Sequence, residues 1–192
     1  MTAANVTEKA SRRGSTLLEF VLAASFVFLP LLAGTASVGM SMVRSIEVVS
    51  LNRDAGHMFA EGIDFSQQAN RNILLKIAGN LGITDSGGNG VIVLSEIDGT
   101  GTNTAVCARQ FIIGNAALRP SSYVNPSSSV VDSSGGVTNL NDPSVNAAGF
   151  TPSVMPMNSG DVGYLAETYV STSGYDWTGF LTGTGVYSKS IF

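Results

Sequence analysis

From Phe20 to Val43 the chain carries no charged side chain. Those 24 residues make a helix of about 36 Å at about 1.5 Å per residue. A bilayer's hydrocarbon core is about 30 Å thick and needs about 20 apolar residues to cross it. A run of this kind is either a membrane span or a signal that is removed, and the rest of the chain must fold around that constraint. Lys9, Arg12 and Arg13 precede it, against one acid, Glu8. The positive-inside rule then puts residues 1–14 in the cytoplasm and the C-terminal body outside.

One carboxylate interrupts the start of the apolar segment. Glu19 lies five residues after Gly14, in Arg12-Arg13-Gly14-Ser15-Thr16-Leu17-Leu18-Glu19-Phe20. An ionisable group at membrane depth is costly and marks function by default. Three readings compete. A plain signal-anchor explains the length and the basic flank but gives Glu19 no role. A cleavable secretory signal has small residues at Gly34-Thr35-Ala36, for a cut before Ser37, but the run is long for that purpose and Glu19 lies where a charge would hurt. The third is a signal in which only residues 1–14 are removed, after Gly14, and the apolar helix is kept. It alone uses the glycine, the acid and the helix together.

These residues resemble the prepilin peptidase site of type IV pilin-like proteins. More narrowly, the string from Arg12 to Phe20 resembles the start of TadE-like minor pilins, or pseudopilins, of the Tad (tight adherence) pilus. The resemblance covers about residues 12–65 and is architectural beyond them. It implies cleavage by a membrane prepilin peptidase between Gly14 and Ser15, with Glu19 as the fifth mature residue, followed by Phe20. It also implies a place in the cytoplasmic (inner) membrane as a single-pass protein with its head outside, or in an extracellular pilus serving adhesion and secretion-like assembly. The implied partners are the peptidase, other pilins and the pilus assembly platform. The implied fold is type IV pilin-like. A minor pseudopilin of a type II secretion-like system and a signal-anchored periplasmic binding module are the rivals.

Elementary chemistry gives Glu19 a task. Cleavage leaves an α-amine on Ser15, cationic at neutral pH with an ordinary pKa of about 7.7–8.0. In a filament of packed helices each Glu19 can pair with a neighbour's amine, offsetting part of two desolvation costs and fixing axial register. Pro30 is tolerated in a membrane helix. The small residues Ala33, Gly34, Ala36, Ser37 and Gly39 permit close helix approach.

Composition narrows the rest. The formal charge is −4, and loss of residues 1–14 removes three positive charges and one negative, giving −6. That is not the basic footprint of a nucleic-acid binder, so no nucleic acid is expected. The single cysteine, Cys107, has no intrachain partner and sits in an apolar strand-like run. It reads as a buried thiol packing like a small hydrophobe.

The expected fold class is α+β, in three parts: a leader over 1–14, a transmembrane and stem helix over 15–62, and a head over 63–192. The helix should run from about Leu17 to Gly62, with apolar positions Ile46, Val49, Leu51, Met58 and Phe59 beyond the membrane. Ile73, Leu74, Ile77, Ala78 and Leu81 repeat at helical spacing and predict a second helix over 65–81. Asp64 or Ser66 would cap its start and Gly82 end it. Residues 85–90 read as a loop. Strands are expected at 91–97, 104–113, 162–170 and 185–192, the first two joined by a turn at 98–103. They would form a small antiparallel sheet. Asn115 to Gly160 holds five of the six prolines and reads as one long loop, a surface insertion or a partner-binding segment. Tyr175, Trp177, Phe180 and Leu181 read as a minor aromatic core.

Signs of catalysis are few. Asp54, His57 and Glu61 share a helix face, better read as a solvated stem than as a metal site. Asp98 to Asn103 misses most of a calcium-loop pattern. With one histidine, no Ser-His-Asp arrangement is credible, and neither Gly-x-Gly run fits a phosphate loop. The expectation is a peptidase substrate, not an enzyme, with no cofactor and no metal.

Overall fold

The structure, a computed structural model, describes residues 3–119, 124–151, 153–171 and 185–192, with side chains from Ser15 onward. Tyr175, Trp177, Phe180 and Leu181 lie outside the described residues. The layout is α+β: a long apolar N-terminal helix, a short second helix and a small antiparallel sheet.

Helix α1 runs from Ala3 to Ala60, 58 residues, or about 87 Å. It starts well before the expected Leu17. Residues 3–13 hold no proline and several good helix formers, and a glycine such as Gly14 costs a helix only about 1 kcal/mol. The helix continues through Pro30. It ends in a Schellman turn: Ile63 N–H donates to Met58 O at 3.0 Å, Gly62 N–H donates to Phe59 O at 3.0 Å, and Gly62 takes φ +87°, where glycine avoids the Cβ penalty.

Helix α2, Gln68–Ile77, is shorter than expected, and a single 3-10 turn, Gly79–Leu81, follows it. Asp64 and Ser66 do not cap it. Gln67 holds the N-cap position with no side-chain bond. Asp64 instead closes the preceding turn, accepting from Ser66 N–H at 2.9 Å and Ser66 Oγ at 2.8 Å. Gly82 ends the segment in the left-handed region, φ +66°. The helix folds back on the stem, with Leu74, Ala78 and Leu81 in one cluster with Leu51 and Ala55. Ile73 and Ile77 do not join that face and stay 50% exposed, because at about 100° per residue they fall to one side of the Leu74–Ala78–Leu81 stripe.

A minimal hairpin, β1 (Ile83–Thr84) and β2 (Gly87–Gly88), occupies part of the expected loop. Strands β3 (Gly90–Gly101), β4 (Thr104–Gly114), β5 (Val162–Ser171) and β6 (Gly185–Ile191) form the main sheet, ordered β4-β3-β5-β6 and antiparallel throughout. The β3–β4 connection is tighter than the expected turn over 98–103. Only Thr102 and Asn103 lie between the strands, and Asn103 takes φ 55°, a conformation asparagine tolerates. A register shift between Glu96 and Ile97 leaves Ala108 without a Cα partner. Arg109 therefore pairs with Glu96 while Cys107 pairs with Ile97, which moves Cys107 to the opposite face of the sheet.

The two faces are covered differently. Val48, Leu51, Ala55 and Phe59 of α1 pack on Ile92, Leu94, Phe111, Ile113, Ala166 and Val170. The stem therefore supplies a layer of the head core. Of the apolar stem positions, Ile46 and Val49 remain exposed. On the other face lies the stretch 115–160, which is more than a surface loop. Val124, Val130, Val145, Phe150 and Met157 bury against Ile97, Cys107 and Leu165. It also binds the open side of β4: Val137 N–H donates to Ala108 O, Gln110 N–H to Gly135 O, and Ala147 N–H to Ala105 O, at 2.7–2.9 Å. An edge strand is thereby protected from stray pairing.

Two contacts lock α1 to the sheet. Asn52 is fully buried. It donates to Ser190 Oγ and accepts from Thr168 Oγ1, both at 2.9 Å. Gly56 lies under the ring of Phe192, where a Cβ would collide with the ring carbons. Asn52→Ala should destabilise the protein by about 1–3 kcal/mol, since it orphans the buried Thr168 hydroxyl and removes the partner of the half-buried Ser190 hydroxyl. Urea unfolding of the detergent-solubilised chain checks this, and an unchanged midpoint would show that the clamp carries no weight.

Candidate functional site

From Leu17 to Leu32, α1 is a sleeve of bare apolar side chains. Leu17, Leu18, Phe20, Leu22, Phe26, Leu29 and Leu32 are all more than half exposed, Phe20 at 72%. Soluble monomers rarely expose contiguous apolar surface beyond a few hundred Å², so this sleeve needs lipid or other helices around it. Among the described residues one helix, Ser15–Ala60, is long and apolar enough to cross a membrane.

The sequence-marked residues fall at the start of that sleeve. Gly14 is inside α1, and Ser15 and Glu19 follow on its surface, both exposed. They stand one turn apart, and Ser15 Oγ donates to Glu19 Oε1 at 3.1 Å. Glu19 thus has a polar partner on its own helix. If the chain begins at Ser15, Glu19 also lies near the positive N-terminal end of the helix dipole, where a carboxylate is stabilised. Ser37 is 6% exposed within the unbroken helix, whereas Gly34 and Gly39 face open space within the chain.

The remaining sequence candidates are spread apart. His57 stacks obliquely on Phe192, ring centroids 4.6 Å apart, while Asp54 and Glu61 are exposed on the same stem. Cys107 is fully buried, and burial pushes its thiol up to about 12. A thiol held that far from ionisation is a poor nucleophile at neutral pH. At the hairpin tip, burial raises Asp98. The carbonyl of Asn158 crowds Gly99, so a side chain there would strike it. Among the described residues no three His, Cys, Asp or Glu side chains group as metal ligands.

Sequence reasoning missed two polar clusters. In the first, Arg109 lies 3.8 Å from both Asp64 and Glu96 and above the Phe111 ring. Asp64 is held below the usual carboxylate range, chiefly by its hydrogen bonds from Ser66 and less by Arg109. Burial raises Glu96, with Arg109 opposing. In the second cluster, under the 115–160 layer, Arg119 Nη2 donates to Gln110 Oε1 at 2.8 Å, and Gln110 Nε2 donates to Ser95 Oγ at 2.9 Å. Glu167, 1% exposed, accepts from Tyr187 Oη. Ser95, Gln110 and Glu167 sit at apolar-strand positions, which was the available signal. Both clusters bind loop to sheet, which is a structural task.

A shallow cleft of 140 Å³ lies between α1 and the α2 segment, lined by Glu47, Ser50, Leu51, Ile77, Asn80 and Leu81. Small-molecule sites generally enclose about 300–1,000 Å³. No family model, no curated protein and no solved structure matches this chain. What fold and site define together is a class: a globular α+β head carried on one long helix whose stretch from Leu17 to Leu32 is apolar and exposed.

Proposed function

We propose that this chain is a minor pilin or pseudopilin of a Tad-type pilus, cut after Gly14 by a prepilin peptidase and assembled through its apolar helix. The observation that carries the reading is the continuous helix itself: Gly14, Ser15 and Glu19 stand at the head of an uncovered apolar sleeve, and the same helix ends as a core layer of the head. The head is type IV pilin-like in this reading. Residues 1–14 are the cytoplasmic leader and 15–62 the transmembrane and stem helix. Residues 63–192 are the head outside the inner membrane, and the pilus is the final location. Glycine is where unwinding costs a helix least, so Gly14 is a natural point for a peptidase to open α1. Two features weigh against secretory cleavage: Ser37 is buried, and the helix is continuous through it.

Glu19 and Phe20 set register. Each Glu19 exchanges its partner on the same helix, Ser15 Oγ, for the Ser15 amine of a neighbouring subunit. The 115–160 layer makes lateral or tip contacts. The same geometry serves a type II secretion-like pseudopilin, and the motif from Arg12 to Phe20 favours Tad. Among the described residues, the anchored binding module has a small stem cleft of 140 Å³ to offer a ligand.

Cross-linking in the native host, followed by recovery of the tagged chain, tests the assignment. Prepilin peptidase, other short prepilins and a pilus platform protein are the expected companions. Recovery of the chain alone, or with a soluble ligand-delivery partner, would overturn it.

A further inference from the structure

We infer that the underside of the head, where Ile77 at the C-terminal end of α2 adjoins the stem, rests on the lipid surface while the protein is in the membrane. The inference relies on the reading of α1 as a retained membrane span.

Height is the first argument. The cleft lined by Glu47, Ser50 and Ile77 places the C-terminal end of α2 beside α1 only four to seven residues past Val43, the last of the uncharged run. That is about 6–10 Å along a helix. The headgroup region on each side of a bilayer is about 5–7 Å deep. Ile77 therefore lies at the outer edge of the headgroup layer, where it meets water.

Surface continuity is the second. Val43, Ile46, Val49, Ile73 and Ile77 are all about half exposed or more, Ile46 at 69%. The apolar sleeve does not stop where the charged residues begin. Exposed apolar side chains continue along the stem past the first charged residue, and Ile77 lies beside the stem just above them, with the exposed cation Lys76 and the carboxylate of Glu47 next to it. With one cation and one carboxylate beside Ile77, it is the exposed apolar surface at this height, rather than net charge, that suits the lipid interface.

Tilt is the third. A run of about 36 Å exceeds a core of about 30 Å, and a span of that kind leans. Leaning toward the apolar side lowers Ile77 into the interface. Leaning away from it lifts Ile77 further into water.

The test uses full-length chains in phosphatidylcholine–phosphatidylglycerol vesicles, with an environment-sensitive fluorophore on a single added cysteine: Phe26→Cys, Ile77→Cys or Val162→Cys. All three native side chains are exposed. Cys107 is buried, and the wild-type chain serves as the labelling blank. Strand pairing puts Val162 at the end of β5 opposite Ser171, about 30 Å away. Nitroxide lipids labelled at the headgroup or deep in the acyl chain act as quenchers.

The Ile77→Cys probe should lose most of its emission to headgroup nitroxide and less to the deep label. Val162→Cys should lose none to either, and Phe26→Cys should respond to the deep label. Failure at Phe26 would remove the membrane-span reading itself. A quenched Phe26 site with an Ile77 site still open to aqueous iodide would overturn the docking alone. So would an Ile77 site shielded from iodide but untouched by nitroxide lipid, because a second protein chain would then be covering it.

Discussion

Glu19→Ala is expected to abolish recovery of this chain in sheared pili while leaving its membrane insertion and its N-terminus unchanged. The side chain is exposed on a mostly apolar helix surface, and its partner there, Ser15 Oγ, is on the same helix, so within the chain it supports no fold. Its value appears only when helices pack. Removing one partner of a buried ion pair leaves the other charge uncompensated, at about 3–5 kcal/mol, and this recurs at each subunit contact. Glu19→Asp keeps the charge on a shorter arm and should restore part of the assembly. Immunoblotting of the sheared and membrane fractions reads the result. Wild-type recovery of the Ala variant would remove the register role.

Phe59→Ala is expected to destabilise the head by about 3–5 kcal/mol, the range for emptying a large aromatic site in a core. Phe59 is 3% exposed. Its ring meets those of Tyr164 at 5.4 Å, Phe111 at 5.8 Å and Phe65 at 6.3 Å. It joins α1, the turn before α2 and two strands, so the cavity would open where stem and head meet. For a chain of this size the melting temperature should fall by about 2–4 °C per kcal/mol. Ile46→Ala, on the exposed side of the same helix, should leave the melt of the detergent-solubilised protein nearly unchanged. Equal losses for the two variants would contradict the placement of the core.

The elements that the sequence displays are those whose signal is local. An uncharged run of 24 residues, a 3.6-residue period from Leu74 to Leu81, and apolar stretches around Ile92–Leu94 and Phe111–Ile113 each declare themselves within one contiguous segment. Long-range features did not. Asn52 reads as an ordinary polar stem residue, and only the approach of Thr168 and Ser190, 116 and 138 positions away, makes it a clamp. Among its described residues the segment 115–160 forms two short 3-10 turns and isolated bridges rather than a long helix or strand, so it shows no period. Its buried residues are set by the sheet they cover. The Glu96/Ile97 register shift that turns Cys107 inward depends on the partner strand. At the candidate site the residues were legible, since Gly14, Ser15, Glu19 and Phe20 form a contiguous motif. The hydrogen bond from Ser15 to Glu19 needed the helix to extend back through Gly14.

The central claim is that residues 1–14 are removed and the apolar helix is kept. Intact mass and terminal sequencing of the protein purified from membranes of its native host test it most directly. The account predicts a chain beginning at Ser15, with Glu19 fifth. A chain beginning at Ser37, or one still carrying residues 1–14 in a host with an active prepilin peptidase, would contradict it.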